Sequence, residues 1–575
     1  MTVSMRAKLC WAAAAVVLAA GAVAIWVIEA QRKVTFVNGF DEALTVRMRS
    51  TTVTLGPKAR ASARVRVGGA DVEVRGADGR VMDRHALLVP SEDSGDAIYN
   101  PLGAAPLYQV NVVYSSGGGS GPGPNYRPLA GDRFLVVSAD YVFTEPPEKL
   151  DLNSKTVYTV RQHVGVQEGG WKVALAELND APQGFPRAAA LARRIAAALP
   201  ADAAAGSWAV HGTMVLDGPA AAAAAALAAV ERTNGATWAE YGFVFAMRRA
   251  GRAPELRPLY RAQLSKEPDS AAAAVRLARV LPRDEAERVL RPALAAHPDD
   301  KSLMTALARV ALQTGRPAEA ADLYARVAEK DADVVADTPY AAALVRAGRL
   351  DDALRVTLAR ATSKDANAYD VARHVRVARV AGAKPPRKPE ELVAQWAQGR
   401  DGAVEWLAAV LGDDPPAKHG FFSPVEAATL AIQQVASRDP ERALARCREA
   451  ETGALTQLDD ETALLLAAEA WRTGDRALFE RLYAASKVII SADALRAWLD
   501  RGEEPVDGWR SDAGERAALL LARARRLAAA GEGGAAEKRE ALRADPLAGP
   551  ATLAARRWPA PPRAAPAVRL VLAAH

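Results

Sequence analysis

The chain has 575 residues, a formal net charge of +6 and 25% charged residues, with half of its residues in the apolar class. This composition excludes a disordered chain and a polytopic membrane protein, and the length is enough for several domains. The two cysteines, Cys10 and Cys447, are far apart, which excludes a disulfide framework and a zinc site that needs two or more cysteines. No concentrated basic segment with interleaved aromatic residues occurs, so we predict no nucleic-acid partner.

An uncharged apolar run lies near the N terminus, over residues 9–28. A helix of about 20 apolar residues is long enough to cross a bilayer. Trp11 and Trp26 stand near the two ends of the run, where indole rings prefer the headgroup level. We therefore predict a short cytoplasmic N terminus over residues 1–8 and a transmembrane signal-anchor helix over residues 9–28, which would tie the protein to the membrane.

A cleavable signal peptide is the alternative interpretation of this run, because Ala22, Val23 and Ala24 fit the small-x-small pattern of a cleavage site. The run continues past them without a polar break, which favours an uncleaved anchor. Positive charges on its two flanks are nearly balanced, so the orientation rests on the layout of a short basic start, one apolar segment and a large following domain. This layout predicts a single-pass inner or plasma membrane protein with the bulk of the chain extracytoplasmic (periplasmic).

Short segments that alternate apolar and polar residues follow, for example at residues 44–48 and 109–114. Alternation with period two is typical of half-buried strands. Turn signals such as Asn38–Gly39 separate these segments at spacings common in β-sandwiches. We predict an antiparallel, all-β sandwich of immunoglobulin-like layout over residues 34–180.

From about residue 186 onwards the apolar period becomes that of α-helices. We predict helical repeats over residues 186–380, with the best units at 237–366, and a second, degenerate repeat segment over residues 390–555. A loose tail rich in Pro, Ala and Arg follows over residues 556–575.

Glycines recur at the turns between paired helices of these repeats, at Gly251, Gly315, Gly348 and Gly474. The step from Gly315 to Gly348 is 33 residues. A small residue such as Ala320 lets the two helices approach closely, and an aromatic residue such as Tyr324 fills the adjacent hole. This pattern resembles the tetratricopeptide repeat (TPR) family in the C-terminal part of the chain only. The resemblance implies an α-solenoid that binds other proteins.

The predicted fold class is therefore multidomain, with a single N-terminal transmembrane helix, an all-β immunoglobulin-like sandwich and an all-α TPR-like solenoid. Peptide-binding members of the tetratricopeptide repeat family clamp the C-terminal carboxylate of a partner. They do so with Lys and Asn side chains on the inner face of the first helix of each repeat. The corresponding positions here are Tyr241, Phe245, Thr305, Arg309, Thr338 and Ala342, which do not reproduce that set. A terminal carboxylate clamp is therefore disfavoured.

Arginines recur at the ends of the first helices, in a row that favours binding of an acidic segment of a protein partner. The predicted partner-binding residues are Arg249, Arg279, Arg309, Arg346 and Arg472, together with Tyr99 and Tyr108 from a Pro- and Tyr-containing loop in the β-rich part. A cation at a helix C terminus also complements the helix dipole, so these arginines have a purely structural interpretation as well.

Catalytic motifs are not found in the sequence. It has no paired histidines at metal-binding spacing, no nucleophile elbow and no phosphate-binding loop, so we predict no enzyme, no metal and no cofactor. The predicted function is a membrane-anchored extracytoplasmic scaffold or adaptor in a bacterial-type cell-envelope complex. The alternative is a protein that binds or processes a cell-envelope carbohydrate polymer, which needs an exposed aromatic platform such as Tyr99, Tyr108 and Tyr114.

Overall fold

The computed structural model describes residues 31–91, 95–115, 125–150, 158–233, 235–330, 338–363, 366, 368–383, 407, 411, 423–486, 488–503, 513–545 and 550–558. The chain divides into two compact units, Met1–Gly212 and Thr213–His575.

The first unit is rich in β-strands. The described strands are β1 (Gln31–Val37), β2 (Leu44–Met48), β3 (Thr51–Leu55), β4 (Arg60–Arg66), β5 (Gly68–Arg75), β6 (Val81–Val89), β7 (Asp96–Tyr99), β8 (Leu107–Ser115), β9 (Tyr126–Pro128), β10 (Phe134–Val137), β11 (Tyr141–Val142) and β12 (Tyr158–Val166). They form three four-stranded sheets with the orders β10-β7-β1-β4, β11-β12-β8-β9 and β3-β2-β5-β6.

Two strand pairs in these sheets are parallel, β1 with β7 and β11 with β12. The prediction of a purely antiparallel sandwich is therefore corrected. Alternation along a strand indicates which side chains face the core, but it does not indicate which strand lies beside it, and β1 and β7 are far apart in the sequence.

Helices cover part of the β-structure in the first unit. These helices are α1 (Trp171–Asp180), α2 (Phe185–Ala198) and the first part of α3 (Ala203–Asp217), which continues past Gly212, the last residue of the unit. Trp171 and Leu178 of α1 and Ile195 of α2 share one hydrophobic core with Phe36 of β1 and Val46 of β2. This core thus lies between strands and helices. In a β-sandwich, the core lies between two sheets instead.

The predicted fold class is wrong in its N-terminal transmembrane helix. In the part of the chain that the structure describes, no helix combines the length and the apolar character needed to cross a bilayer. The longest described helix has 17 residues and contains several charged side chains, whereas a span needs about 20 predominantly apolar residues. The predicted segment 9–28 itself lies outside the described residues, as does most of the predicted tail.

The second unit is helical. Its described helices are α4 (Pro219–Arg232), α5 (Thr237–Arg249), α6 (Leu256–Lys266), α7 (Ala271–Ala278), α8 (Arg283–Ala296), α9 (Lys301–Gln313), α10 (Pro317–Lys330), α11 (Thr338–Arg346), α12 (Leu350–Ala361), α13 (Ala368–Val380), α14 (Pro424–Ala436), α15 (Pro440–Glu449), α16 (Thr452–Thr456), α17 (Asp460–Arg472), α18 (Arg476–Ala485), α19 (Ala492–Arg501), α20 (Ala513–Ala529), α21 (Ala535–Ala544) and α22 (Pro550–Arg557).

The turns between paired helices share one backbone geometry. Gly315 and Gly348 have φ values of 80° and 76°, in the left-handed region that favours glycine. In each turn the next residue donates its backbone N–H to the carbonyl five positions earlier, from Arg316 to Ala311 and from Arg349 to Leu344, both at 2.9 Å. This pattern satisfies carbonyls that the end of the first helix would otherwise leave unpaired.

The start of α14 carries a capping box. Ser423 Oγ accepts the backbone N–H of Glu426 at 3.1 Å, and the Glu426 carboxylate accepts the backbone N–H of Ser423 at 3.0 Å. We expect Ser423→Ala to destabilise α14 by about 1 kcal/mol, because one helix N–H loses its acceptor. Hydrogen exchange of the α14 amides measures this loss. Ser423→Asp restores an acceptor and is expected to recover most of the stability, and equal losses in both variants would contradict the capping role.

Candidate partner-binding cavity

A cavity of about 560 Å³ lies in the second unit, against α5, α7 and α9. Tyr241 and Phe245 on α5 and Thr305 and Arg309 on α9 contribute to its lining, and Arg279 lines it directly after α7. The structure thus brings the predicted partner-binding residues Arg279 and Arg309 together, beside three of the predicted inner-face residues. The volume falls in the usual range for sites that bind small molecules or short segments.

The cavity is strongly basic. Its cationic lining residues are Arg248, Arg279, Lys301 and Arg309, and the described lining contains no carboxylate. We call it the basic cavity. Lys301 and Arg309 are exposed, and Arg279 is half-buried. Glu240, on the same helix as Arg248, is already paired with Arg276 at 2.6 Å. The excess of positive charge in the cavity therefore favours an anionic ligand.

Arg248 is the most buried of these cations, with 6% of its surface exposed. One terminal nitrogen donates to the backbone carbonyl of Arg279 at 2.6 Å, while Nε has no hydrogen-bond partner. Burial, together with the neighbouring Arg257 cation, lowers the pKa of Arg248 to about 10. No ion pair of Arg248 occurs within the described part of the chain. A buried cation without a carboxylate partner destabilises the free protein and would be stabilised by an anion.

Arg279 and Tyr241 add an aromatic surface to the basic cavity. The Arg279 guanidinium lies over the Tyr241 ring, 5.4 Å from its centroid. Burial lowers the pKa of Arg279, and the nearby Arg309 cation lowers it further. Tyr241 remains 47% exposed, so one part of the ring is open to a ligand. The cavity therefore combines positive charge with aromatic surface, which suits an acidic residue beside an apolar one.

Arg249 lies in the interior of the protein, with only 2% of its surface exposed. Its guanidinium donates to the backbone carbonyls of Tyr483 (2.6 Å), Ser486 (3.1 Å) and Val488 (3.0 Å). The prediction that Arg249 contacts a partner is therefore corrected, because this folded structure gives a partner no access to the side chain.

Arg472 and Arg346 are also outside the basic cavity. Arg472 pairs with Glu469 at 2.7 Å and with Glu441 at 2.5 Å, so its charge is already compensated. Arg346 is exposed and donates to the carbonyl of Leu312 at 3.4 Å. The predicted row of five arginines is thus reduced to two in the cavity, Arg279 and Arg309.

The predicted tyrosines of the first unit do not form an exposed platform. Tyr99 is fully buried, with its ring stacked 6.0 Å from His85, and Tyr114 is also buried. Tyr108 is half-buried, and its ring stacks on Tyr126 at 5.5 Å. The prediction that Tyr99 contacts a partner is therefore corrected. The polymer-binding alternative also loses two of its three predicted contact residues.

Comparison with known proteins places one part of the second unit in a family. A sequence model described as tetratricopeptide repeat matches residues 283–347, from the first residue of α8 to just beyond α11. Residues 283–347 are therefore similar to tetratricopeptide repeats. This match confirms the resemblance predicted from the turn glycines and the paired helices. No curated protein matches the chain.

The tetratricopeptide repeats imply a role in protein–protein interaction, and the family is typically not catalytic. Arg309 and Lys301 of the basic cavity lie within the matched repeats. Arg248, on α5, and Arg279, directly after α7, lie before the matched repeats in the same unit.

The recurrence of arginines at helix ends selects Arg249 and not its neighbour Arg248, which lines the cavity. Tyr241, Phe245 and Arg248 stand four and three residues apart on α5, and this spacing places all three on one helix face. Two of these residues were already predicted on the inner face, so the spacing alone identifies the third.

Proposed function

We propose that this protein is a scaffold or adaptor that binds an acidic segment of a partner protein in the basic cavity. The buried Arg248 cation carries the proposal, because no carboxylate pairs with it within the described residues and it lines a cavity with three further cations.

A partner carboxylate that enters the cavity would form charge-assisted hydrogen bonds with guanidinium groups that are already held in place. Such bonds are about twice as strong as those between neutral groups. Their contribution is larger away from water, and Arg248 and half-buried Arg279 both lie at such positions. The neighbouring Tyr241 and Phe245 favour an apolar or aromatic residue next to the acidic one.

The proposed setting is a bacterial-type cell-envelope complex, with the repeats outside the cytoplasm. The layout of the N-terminal sequence supports this part of the proposal. Insertion of a protease site at residues 200–202, between α2 and α3, tests it in intact cells whose outer barrier has been opened. Cleavage from the extracytoplasmic side is expected, and cleavage only after the cytoplasm is opened would contradict the location.

Peptide titration tests the proposed function directly. We expect the protein to bind a labelled ten-residue peptide of alternating Glu and Ala, and to bind the matched Gln–Ala peptide at least about tenfold more weakly, which corresponds to 1.4 kcal/mol. Affinity for the acidic peptide is expected to fall as salt rises from 50 to 500 mM, because exposed Lys301 and Arg309 are screened. Fluorescence anisotropy measures both effects. Equal binding of the two peptides, or no binding of either, would contradict the proposal.

A further inference from the structure

We infer that the basic cavity is a composite site, completed by residues 488–491 (the loop before α19), and that Arg249 is the positioning residue that holds this loop in place. The inference rests on the proposed function for its ligand, an acidic segment. Ile489, in this loop, lines the cavity together with residues of α5, α7 and α9. A residue more than 200 positions after α5 therefore contributes to a cavity whose other lining residues lie on or beside α5 and α7–α10.

Arg249 makes the contacts that join the end of α5 to this loop. Besides the carbonyls of Tyr483, Ser486 and Val488, the guanidinium donates to Ser486 Oγ at 3.3 Å. The guanidinium carbon also lies 3.8 Å from the centroid of the Tyr483 ring. The three carbonyl acceptors all precede Ile489, and Val488 is its immediate neighbour, so the planar guanidinium fixes the start of the loop that carries Ile489.

Three further contacts hold the same loop. The Tyr483 hydroxyl donates to the carbonyl of Ile490 at 2.6 Å. Gly251, in the turn after α5, also lies close to this loop. A Cβ atom added to Gly251 would be 3.5 Å from Ser491 Cβ. Ser491 in turn caps α19, since its Oγ accepts the backbone N–H of Ala494 at 3.2 Å. The loop that carries Ile489 is thus fixed by α5, by α18 and by its own turn into α19.

Arg248 and Arg249 are adjacent on α5 but make different contacts. Arg248 lines the cavity, and Arg249 is directed into the loop after α18. Successive residues of an α-helix are about 100° apart around its axis, so both contacts are possible from one helix end. Docking of the loop on Arg249 therefore also restrains the backbone that carries Arg248. We conclude that ligand affinity depends on α18 and α19 although neither helix belongs to the matched repeats.

Variants of Arg249 test this inference in the full chain. Arg249→Lys keeps a positive charge but not the planar fork of donors, and we expect it to weaken binding of the Glu–Ala peptide about tenfold and to speed hydrogen exchange of the amides in residues 488–491. Arg448→Lys is the matched control, because Arg448 is an exposed arginine paired with Asp475 at 2.8 Å. We expect this control to change neither measurement.

Ile489→Asp is the second variant, and it leaves the Arg249 contacts in place. It introduces a carboxylate at the edge of the cavity, which is expected to repel the acidic peptide and weaken its binding about tenfold while exchange at Val488 stays close to that of the original protein. Loss of affinity in both variants, with faster exchange only in Arg249→Lys, supports the composite site.

The outcomes separate the inference from the proposed function. If the original protein binds the Glu–Ala peptide and both variants bind it equally well, the composite site is overturned and the proposed function stands. If the original protein binds no acidic peptide, the proposed function fails, and the composite site fails with it.

Discussion

Replacement of Arg248 by methionine is expected to weaken binding of the Glu–Ala peptide about 30-fold or more. Loss of one partner of a buried, hydrogen-bonded charge pair usually costs at least about 2 kcal/mol, and 1.4 kcal/mol corresponds to a factor of ten. Methionine is about as long as the aliphatic stem of arginine and keeps its apolar contacts, so the loss reports on the guanidinium group. Fluorescence anisotropy with the same peptide measures the change in dissociation constant.

The same substitution is expected to leave the free protein at least as stable as before. Arg248 is a buried cation without an ion pair among the described residues, and such charges are often replaced by apolar residues without loss of stability. Arg355→Met is the matched control, since the Arg355 side chain is 71% exposed and pairs with Asp352 at 2.8 Å. A 30-fold loss in the control, or a large drop in unfolding temperature in Arg248→Met, would contradict a binding role for Arg248.

Replacement of half-buried Glu461 by glutamine is expected to stabilise the second unit at neutral pH, by about 1.4 kcal/mol for each unit by which folding raises the pKa of this carboxyl. Burial raises the pKa of Glu461 well above its ordinary value, and the nearby Asp545 carboxylate raises it further. The Glu461 carboxyl accepts the backbone N–H of Ala551 at 2.6 Å, a hydrogen bond that the glutamine oxygen can keep. The substitution therefore removes the charge and retains the contact.

The sign of the pH dependence follows from this raised pKa. The folded protein holds the Glu461 proton more tightly than the unfolded chain, so this group's contribution to stability falls as pH rises above the ordinary value of 4.5. Glu461→Gln is therefore expected to raise the unfolding temperature at pH 7.5 and to have little effect at pH 4. Calorimetry at the two pH values measures the difference. Exposed Glu449→Gln on α15 is the control, and an equal gain in both variants would contradict the interpretation.

Local features of the fold were predictable because they depend on neighbouring residues. The alternation at Leu44–Met48 predicts a strand with the same bounds that the structure has. Gly315 and Gly348 predict the helix-pair turns, where only a residue tolerant of positive φ closes the turn without strain. Strand partners such as β1 and β7 were not predictable in this way, because their pairing depends on chain segments far apart in sequence.

The candidate site was predictable only in part, for the same reason. Recurrent arginines at helix ends identified Arg279 and Arg309, which the structure places in one cavity. The same rule also selected Arg249 and Arg472, because a helix-end position does not indicate whether another segment will cover or pair with it. Arg472 has its own carboxylate partners, and Arg249 has its own carbonyl acceptors.

By itself, the sequence determined the paired helices, their turns and the excess of arginine along the repeats, since periodicity and turn chemistry act over a few residues. Only the tertiary structure decided that the helix face carrying Arg248 lines a cavity and that Arg249 is buried against Tyr483, Ser486 and Val488. The two residues are neighbours on one helix, and their tasks differ because carbonyl groups more than 230 residues later accept hydrogen bonds from Arg249, whereas Arg248 donates to the carbonyl of Arg279. Contacts over such distances depend on how whole helices pack, which no local pattern records.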